Sequence, residues 1–521
     1  MATTVVSSPG KVLLAGGYLV LDPAYSGVVV STSARFYTII QGEGASDARG
    51  AYRIRVRSPQ FVDATWIYTV QVDENAVRIE QTSNELFIPA ARLGSSSSKN
   101  KFVHLALHRT LSLALEVRGA PALKEVLSGG LDIAIVGDND FYSQRAQLQA
   151  LGLEPVFASL SKLTPFGKTG VRLPEVHKTG LGSSAALITS LVSALLVQFS
   201  VIPRTALLQE DDVMTNSDRQ LAHNLAQYIH CYAQGKVGSG FDVAAAVFGS
   251  QVYTRFKPDV IQLLMGEDSS SLTLLPIISP SNKAWDYRVE PFKLPPLTRL
   301  MLADVDAGSD TPSLVGKVLK WRTADSIASH QLWEDLNKTN QALCSELLKL
   351  SELHSQNPKA YTAAVRWISS LQPLQWLANP NTSKAEGAAV EAFYQTHQIT
   401  QDIRSKMRQM GKLSDVPIEP PEQTSLLDAC VAQAGVIGGG VPGDLNHELY
   451  LAGGYDAVWL LVCDPAGLEY EQKPVYRVGR IWHTWKHLVV TPLSASESTA
   501  KGVRLIENID EVPGLKAATA V

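Results

Sequence analysis

The stretch HKTGLGSSAAL, residues 177–187, concentrates residue types able to do chemistry. Gly180 and Gly182 flank Leu181, Ser183 and Ser184 follow, and an apolar run begins at Ala185. This order predicts a glycine turn that delivers the backbone to the mouth of a helix. A helix start leaves about four N–H groups without intrahelical partners and carries roughly half a positive charge. Glycines ahead of it let backbone approach an anion closely, and serine hydroxyls add donors or a ligand for a hard cation. A purely structural helix with a serine cap would use some of the same residues. Gly-Leu-Gly-Ser-Ser-Ala exceeds what capping alone requires, so the stretch favours a phosphate cradle.

Two further segments carry charge toward such a cradle. SSPGKVLLAGGYLVLD at 7–22 places Lys11 directly after a Pro-Gly turn, at a strand edge from which it can reach a cleft. AQGKVGSGFDVAAAVFG at 233–249 places Asp242 between a Gly-Ser-Gly turn and an alanine-rich helix. Singly, these read as a surface lysine and a helix-capping aspartate. With the glycine loop they supply a cation, an anion and an anion cradle, the parts that phosphoryl transfer needs. Competing patterns are weaker. Gly167-Lys168-Thr169 looks like the end of a Walker A loop, but Lys162 stands where that loop needs its first glycine. GLGSSA and GGGVPG (438–443) fit dinucleotide-loop spacing without a strand–turn–helix context, and Pro442 interrupts the second.

Elements far apart in sequence must bring these groups together. A chain of 521 residues is long enough for two or three domains. Its 45% hydrophobic and 18% charged residues are ordinary for a soluble protein, and a net charge of −4 favours neither nucleic acid nor an anionic membrane as main partner. Cys231, Cys344, Cys430 and Cys463 form no CxxC pair, which argues against a disulfide framework or zinc site and for a reducing, cytoplasmic setting. MATTVVSSPGK lacks the basic-then-apolar layout of a signal peptide. The longest apolar run, AALITSLVSALLVQFSVI, holds Thr, Gln and three Ser and reads as a buried helix rather than a membrane span.

Residues 1–90 read as strands, including KVLLAG, YLVLD and GVVVSTSARFYTII. YRIRVR alternates, which predicts a half-buried strand with Arg53, Arg55 and Arg57 on its wet face. GSSSSKNK at 94–101 reads as a loop leading into a helix. Leu187, Leu191, Leu195 and Phe199 recur every four residues, the buried stripe of a helix after the glycine loop. The proline-rich stretch 280–300 suggests a boundary between lobes. From 321 to about 410 the spacing of Leu332, Leu336, Leu343, Leu347 and Leu350 predicts helices packed on a domain rather than a long coiled coil. PVYRVGRIWHTWKHLVVTPL then reads as a return to strand.

The three chemical segments, in this order, resemble the motifs of the GHMP kinases, and among them those of the eukaryotic, especially fungal, phosphomevalonate kinases. PGKVLLAGGYLVLD, KTGLGSSA and GKVGSGFDVAAAVFGS are similar to that family's own versions. MLADVDAGSDTPSLVGKV is similar to the strand–turn–helix opening its second lobe, and GVPG…AGGYDAVWLLV to its third motif. The resemblance implies an α+β, two-lobed fold with helical additions. A lobe like domain 2 of ribosomal protein S5 would cover residues 1–285, and a ferredoxin-like lobe 286–521. It implies ATP and Mg2+, and 5-phosphomevalonate as acceptor on the mevalonate route to isoprenoids and sterols. No nucleic acid or membrane span is implied, and monomer and homodimer both stay open.

Carried over by position, Lys178, Thr179, Gly180, Leu181, Gly182, Ser183, Ser184 and Ala185 would hold ATP, with Ser184 a magnesium ligand. Lys11 would bridge the transferring group and the acceptor, with Asp242 at the catalytic centre. Tyr18, Lys101, Lys178 and Ser239 would contact the acceptor. Mevalonate kinase, diphosphomevalonate decarboxylase and a non-catalytic ligand sensor are the rival members; a sensor need not keep the lysine, aspartate and serines found here. Two departures stand out. Where mevalonate kinase-like members carry a metal-holding glutamate, AQYIHCYAQGK offers no acid and His230 lies near that place, so the second magnesium ligand stays open. Eight residues, Asp444 to Leu451, also interrupt the third motif, as a surface loop or a gene-model error.

Overall fold

The computed structural model describes residues 3–44, 51–82, 100–208, 212–266, 272–305, 314–378, 383–442 and 457–520. The interrupting run Asp444–Leu451, most of the 94–101 loop and residues 306–313 of the second-lobe opening lie outside them. Among the described residues, the chain first lays down β1 (Thr4–Ala15), β2 (Ser26–Gly42), β3 (Tyr52–Arg57), β4 (Thr65–Val72), β5 (Val77–Thr82), β6 (Leu131–Gly137), β7 (Gln251–Thr254) and β8 (Arg288–Pro291). It continues with β9 (Thr298–Val305), β10 (Val436–Gly440), β11 (Ala457–Cys463), β12 (Val490–Leu493) and β13 (Arg504–Leu505).

The first eight strands and β13 make one sheet, ordered β13-β1-β2-β6-β3-β4-β5, with β7 beside β2 and β8 beside β7. Its pairs are antiparallel except β3 with β6. β1 is buried along its whole length, so its apolar and hydroxyl residues need not alternate. Helices Lys101–Leu127, Ser183–Gln198, Ser217–Gln234 and Phe241–Phe248 pack together and against these strands. On the other face, Val5, Tyr37, Ile39, Ala134 and Val136 meet Phe166, Ile506 and Leu515. β8 and β13 both lie beyond residue 285, so the large sheet draws on chain from both sides of the expected lobe boundary.

The remaining strands form an antiparallel sheet ordered β10-β11-β9-β12. With helices between β9 and β10 and helix Pro474–Thr484 between β11 and β12, this is the expected ferredoxin-like arrangement. The helical addition comprises Leu314–Ala324, Ser326–Gln356, Pro358–Ser369 and Lys384–Ser414, packed on one another as the leucine spacing predicts. Arg404 in the last of these is buried against Glu419 at 2.7 Å and reaches Asp428 at 2.9 Å, tying the addition to the small lobe.

Four local expectations need correcting. YLVL is a 3-10 turn (Gly17–Leu21), not a strand, because Gly16 and Gly17 take positive φ of 125° and 43° and turn the chain away from β1. Pro474–Thr484 is a helix: proline occupies its first turn, and Val475, Val478 and Trp482 share one buried face despite their strand-favouring composition. The helix Ser183–Gln198 is buried on nearly all sides rather than on one stripe, since strands and helices surround it. The arginine row of β3 is not simply wet. Arg55 and Arg57 pair with the buried Asp132 at 2.8 and 2.9 Å, and Arg57 also donates to Thr519 O at 2.7 Å, fastening the returning C-terminal segment.

A half-buried acid contributes a pH dependence to stability. Burial pushes the Asp138 carboxyl up to about 7, although its Oδ2 accepts from Arg35 N at 2.6 Å. The native state therefore holds this proton where the unfolded chain has released it, and stability declines as pH rises toward about 7. Asp138→Asn keeps an oxygen acceptor and has no proton to lose. Between about pH 5 and about pH 8 the melting temperature should fall by a few degrees less in the variant than in wild type; parallel slopes would exclude Asp138 as their source.

Candidate active site

Gly182 stands at φ 76°, ψ 41° as the N-cap of helix Ser183–Gln198 and offers its first turn no side-chain acceptor. The helical ladder begins with Ala186 N donating to Gly182 O at 3.1 Å, so the N–H groups of Ser183, Ser184 and Ala185 precede it. Lys11 reaches this turn from β1. Its backbone N donates to Leu181 O at 2.9 Å and its Nζ to Gly180 O at 3.0 Å. The lysine is 1% exposed, and Nζ lies 5.4 Å from the centroid of the Phe241 ring. A cation so withdrawn from water acts strongly on a nearby anion.

The glycine at 182 is required twice over. Its φ is one that side-chain-bearing residues rarely adopt, and a Cβ there would lie 3.0 Å from Lys11 Cγ and 3.1 Å from Cε. Gly182→Ala should lower kcat/KM by about ten- to a hundredfold through displacement of Lys11, at a stability cost of about 1–2 kcal/mol. Steady-state kinetics beside a melting curve check this; unchanged kcat/KM would mean the lysine stem has room to move.

Asp242 sits in the first turn of Phe241–Phe248, behind Gly240 at φ 84°, and is 4% exposed. His230, on helix Ser217–Gln234, stands between it and the glycine loop. Its Nε2 lies 3.1 Å from Ser184 Oγ, 4.0 Å from Asp242 Oδ2 and 3.3 Å from Gln234 Nε2. Lys11, Ser184 and Asp242 thus converge, with an imidazole joining the last two. Sequence reasoning noticed His230 for the acid it replaces, but not for this bridge.

The other expected residues divide by surroundings. Thr179 is fully buried; its N–H donates to Phe141 O at 3.2 Å and its hydroxyl to Asp140 O, so it holds the approach to the loop. Lys178, beside it, is exposed and bridges to Tyr142 through backbone. Tyr18 is buried in the 3-10 turn, and burial raises its phenol above the ordinary range, keeping it a neutral hydroxyl. Ser239 is buried and its carbonyl accepts from Tyr253 Oη at 3.0 Å. Lys101 starts helix Lys101–Leu127 and lines a hollow of about 490 Å³ with Tyr232, Lys236 and Met265. Its neighbour Phe102 places its ring 6.2 Å from that of His230. Arg255 carried no sequence signal, being outside every motif. It donates to Leu21 O and, at 2.8 Å, to Val237 O, fastening the turn that holds Tyr18 to the run before Asp242.

Comparison with known proteins shows the family and the fold. Residues 169–250, which include the glycine loop, His230 and Asp242, match the model of the GHMP kinases N terminal domain. The chain is 36% identical over 487 residues to the peroxisomal phosphomevalonate kinase of Arabidopsis thaliana, covering 90% of this chain and 91% of that one. It is 37% identical over 518 residues to phosphomevalonate kinase erg8 of Aspergillus fumigatus, covering 93% and 91%. Among solved structures, a Lin0012 protein from Listeria innocua aligns with a TM-score of 0.59 at 14% identity, over 97% of this chain and 100% of that one. Streptococcus pneumoniae phosphomevalonate kinase aligns with 0.50 at 13% identity, over 95% and 99%; these two likenesses concern the fold.

Proposed function

Because the chain belongs to the phosphomevalonate kinase family of the GHMP kinases, we propose that Lys11, the 180–185 turn, Ser184 and Asp242 are the machinery of its reaction. That reaction is ATP-dependent transfer of a phosphoryl group to 5-phosphomevalonate in the mevalonate pathway. The observation that carries the site assignment is the meeting of Lys11 Nζ with the Gly180 carbonyl beside a helix start whose serine shares His230 with Asp242.

The acceptor's chemistry explains this composition. A phosphomonoester has a second pKa near 6, so at neutral pH its attacking oxygen is mostly deprotonated. The obstacle is repulsion: two unit charges 4 Å apart repel by about 4 kcal/mol at an effective dielectric of 20. Lys11 and the N–H groups of Ser183–Ala185 offset that charge at the transferring group, and Lys178, exposed just ahead of the loop, offsets it at the acceptor. Asp242 orients its surroundings more than it takes a proton. Tyr18 and Ser239 lie at turns flanking the same centre, and Lys101, the remaining acceptor candidate, lines its hollow with Tyr232, Lys236 and Met265.

Ser184 would hold magnesium, and Asp242, across His230 from it, is the oxygen ligand available to share it, an oxygen pair rather than a cage. Among the described residues no group of three or more His, Cys, Asp or Glu side chains could hold a metal. That donor set suits a hard cation that arrives with ATP and keeps phosphate and water ligands. When bound, Mg2+ would neutralise phosphate charge. His230 is a poor ligand for such an ion and instead holds the Ser184 hydroxyl. No helix among the described residues is long and apolar enough to cross a membrane, and the four cysteines are free and buried, which supports a reducing, cytoplasmic setting.

Coupled ADP release with mevalonate, 5-phosphomevalonate and 5-diphosphomevalonate tests the reading. Turnover should be confined to the monophosphate; preference for mevalonate would overturn the acceptor assignment.

A further inference from the structure

Residues 140–145 touch two things at once. Along one edge they hold the run that leads into the glycine loop. Ser143 N donates to His177 O at 2.8 Å, Thr179 N to Phe141 O at 3.2 Å, and Tyr142 bridges Lys178. Along the other edge they dock on the small sheet. Ser143 Oγ donates to Asp304 Oδ2 at 2.7 Å, and Arg145 Nη2 meets Asp304 Oδ1 at 3.1 Å. Asp140 accepts from Ser494 N at 3.0 Å and from Ser494 Oγ at 2.9 Å. Asp304 lies on β9, and Ser494 follows β12 directly; the two strands are neighbours, with Asp304 opposite Thr491.

Both docking points therefore fall on one strand pair of the small sheet, while the residues they hold belong to the large lobe. Asp304 is 3% exposed and Asp140 6%, so neither carboxylate can exchange its protein donors freely for water. Any shift of β9 and β12 must move 140–145, and with it Lys178. We propose that Asp304 and Asp140 form an interlobe clasp: positioning residues that place Lys178 for the phosphate of the acceptor by fixing its strand to the small sheet. This rests on the reading of Lys178 as an acceptor contact. It adds that the second lobe, which does not supply that lysine, sets the lysine's position.

Asp304→Ala removes both the Ser143 hydrogen bond and the Arg145 ion pair; Asp304→Asn keeps an acceptor for Ser143. In Asp304→Ala, KM for 5-phosphomevalonate should rise by about tenfold or more, with KM for ATP within about twofold of wild type. Asp304→Asn should recover part of that rise. Amide hydrogen exchange across 177–182 should accelerate in Asp304→Ala while exchange in β11 stays unchanged. Should Asp304→Ala fail to fold, Ser143→Ala and Ser494→Ala each remove a single side-chain donor and are read the same way. Folded variants with unchanged acceptor KM and unchanged exchange at 177–182 would overturn the clasp. Lys178→Ala separates the two ideas: if it leaves acceptor KM unaltered while Asp304→Ala still loosens 177–182, the acceptor role of Lys178 fails and the clasp stands as a mechanical link.

Discussion

Lys11→Met should lower kcat by about three orders of magnitude while leaving the fold intact. Methionine matches the lysine stem, which packs against Gly182 and points its end toward the Phe241 ring, and it introduces no unpaired polar group into a site that is 1% exposed. What it removes is a desolvated positive charge held beside the phosphate turn by the Gly180 carbonyl. Stabilisation of that kind grows as water is excluded, so the loss should appear in kcat rather than chiefly in KM for ATP, whose proposed cradle, the helix start, is left intact. Coupled ADP release with a parallel melting curve measures both. A variant that folds and retains more than about a tenth of wild-type turnover would show that another group carries the charge.

Asp242→Asn should cost about two to three orders of magnitude in kcat, and the shape of its pH profile says why. Asparagine preserves the side chain's size and an oxygen for Val243 N, which donates to Asp242 Oδ1 at 2.9 Å, but abolishes the negative charge beside His230. If the aspartate acts by orienting its neighbours, any acidic limb belongs to the substrate phosphate, whose second pKa is near 6, and survives the substitution. If it removes a proton, the limb belongs to Asp242 and disappears with it. Survival of the limb at reduced height is the expected result; its disappearance would restore the general-base role.

The centre was legible because its parts are local. A glycine forced to positive φ, two serines and an apolar run specify a turn and a helix start wherever the fold puts them, and Gly182 and Ser183–Gln198 take that form. The same holds for the glycine turn ahead of Asp242, but not for Lys11, expected after a Pro-Gly turn at a strand edge. Pro9 and Gly10 lie inside β1, at a bulge, because the strand pairs with β2 on both sides of them and is buried throughout. Where composition and spacing disagreed, composition misled: Pro474–Thr484 is rich in strand-favouring residues, yet its apolar spacing and leading proline make a helix. Charge was the least legible feature. Arg53, Arg55 and Arg57 alternate as a solvated face would, and nothing in YRIRVR announces Asp132 or the returning Thr519.

Alone, the sequence determined the glycine turns ahead of Ser183 and of Asp242 and which residue types stand at them, the parts of a candidate anion cradle with a cation and an acid. Tertiary structure decided that they meet. The Lys11–Gly180 contact joins residues 169 positions apart, and His230 links Ser184 to Asp242 from a third element. It also decided that chain from both ends completes one sheet and that the small sheet grips the approach to the loop. Short-range periodicity encodes conformations over a few residues. Contacts over hundreds of residues are selected by how whole faces bury together, and no local pattern carries that information.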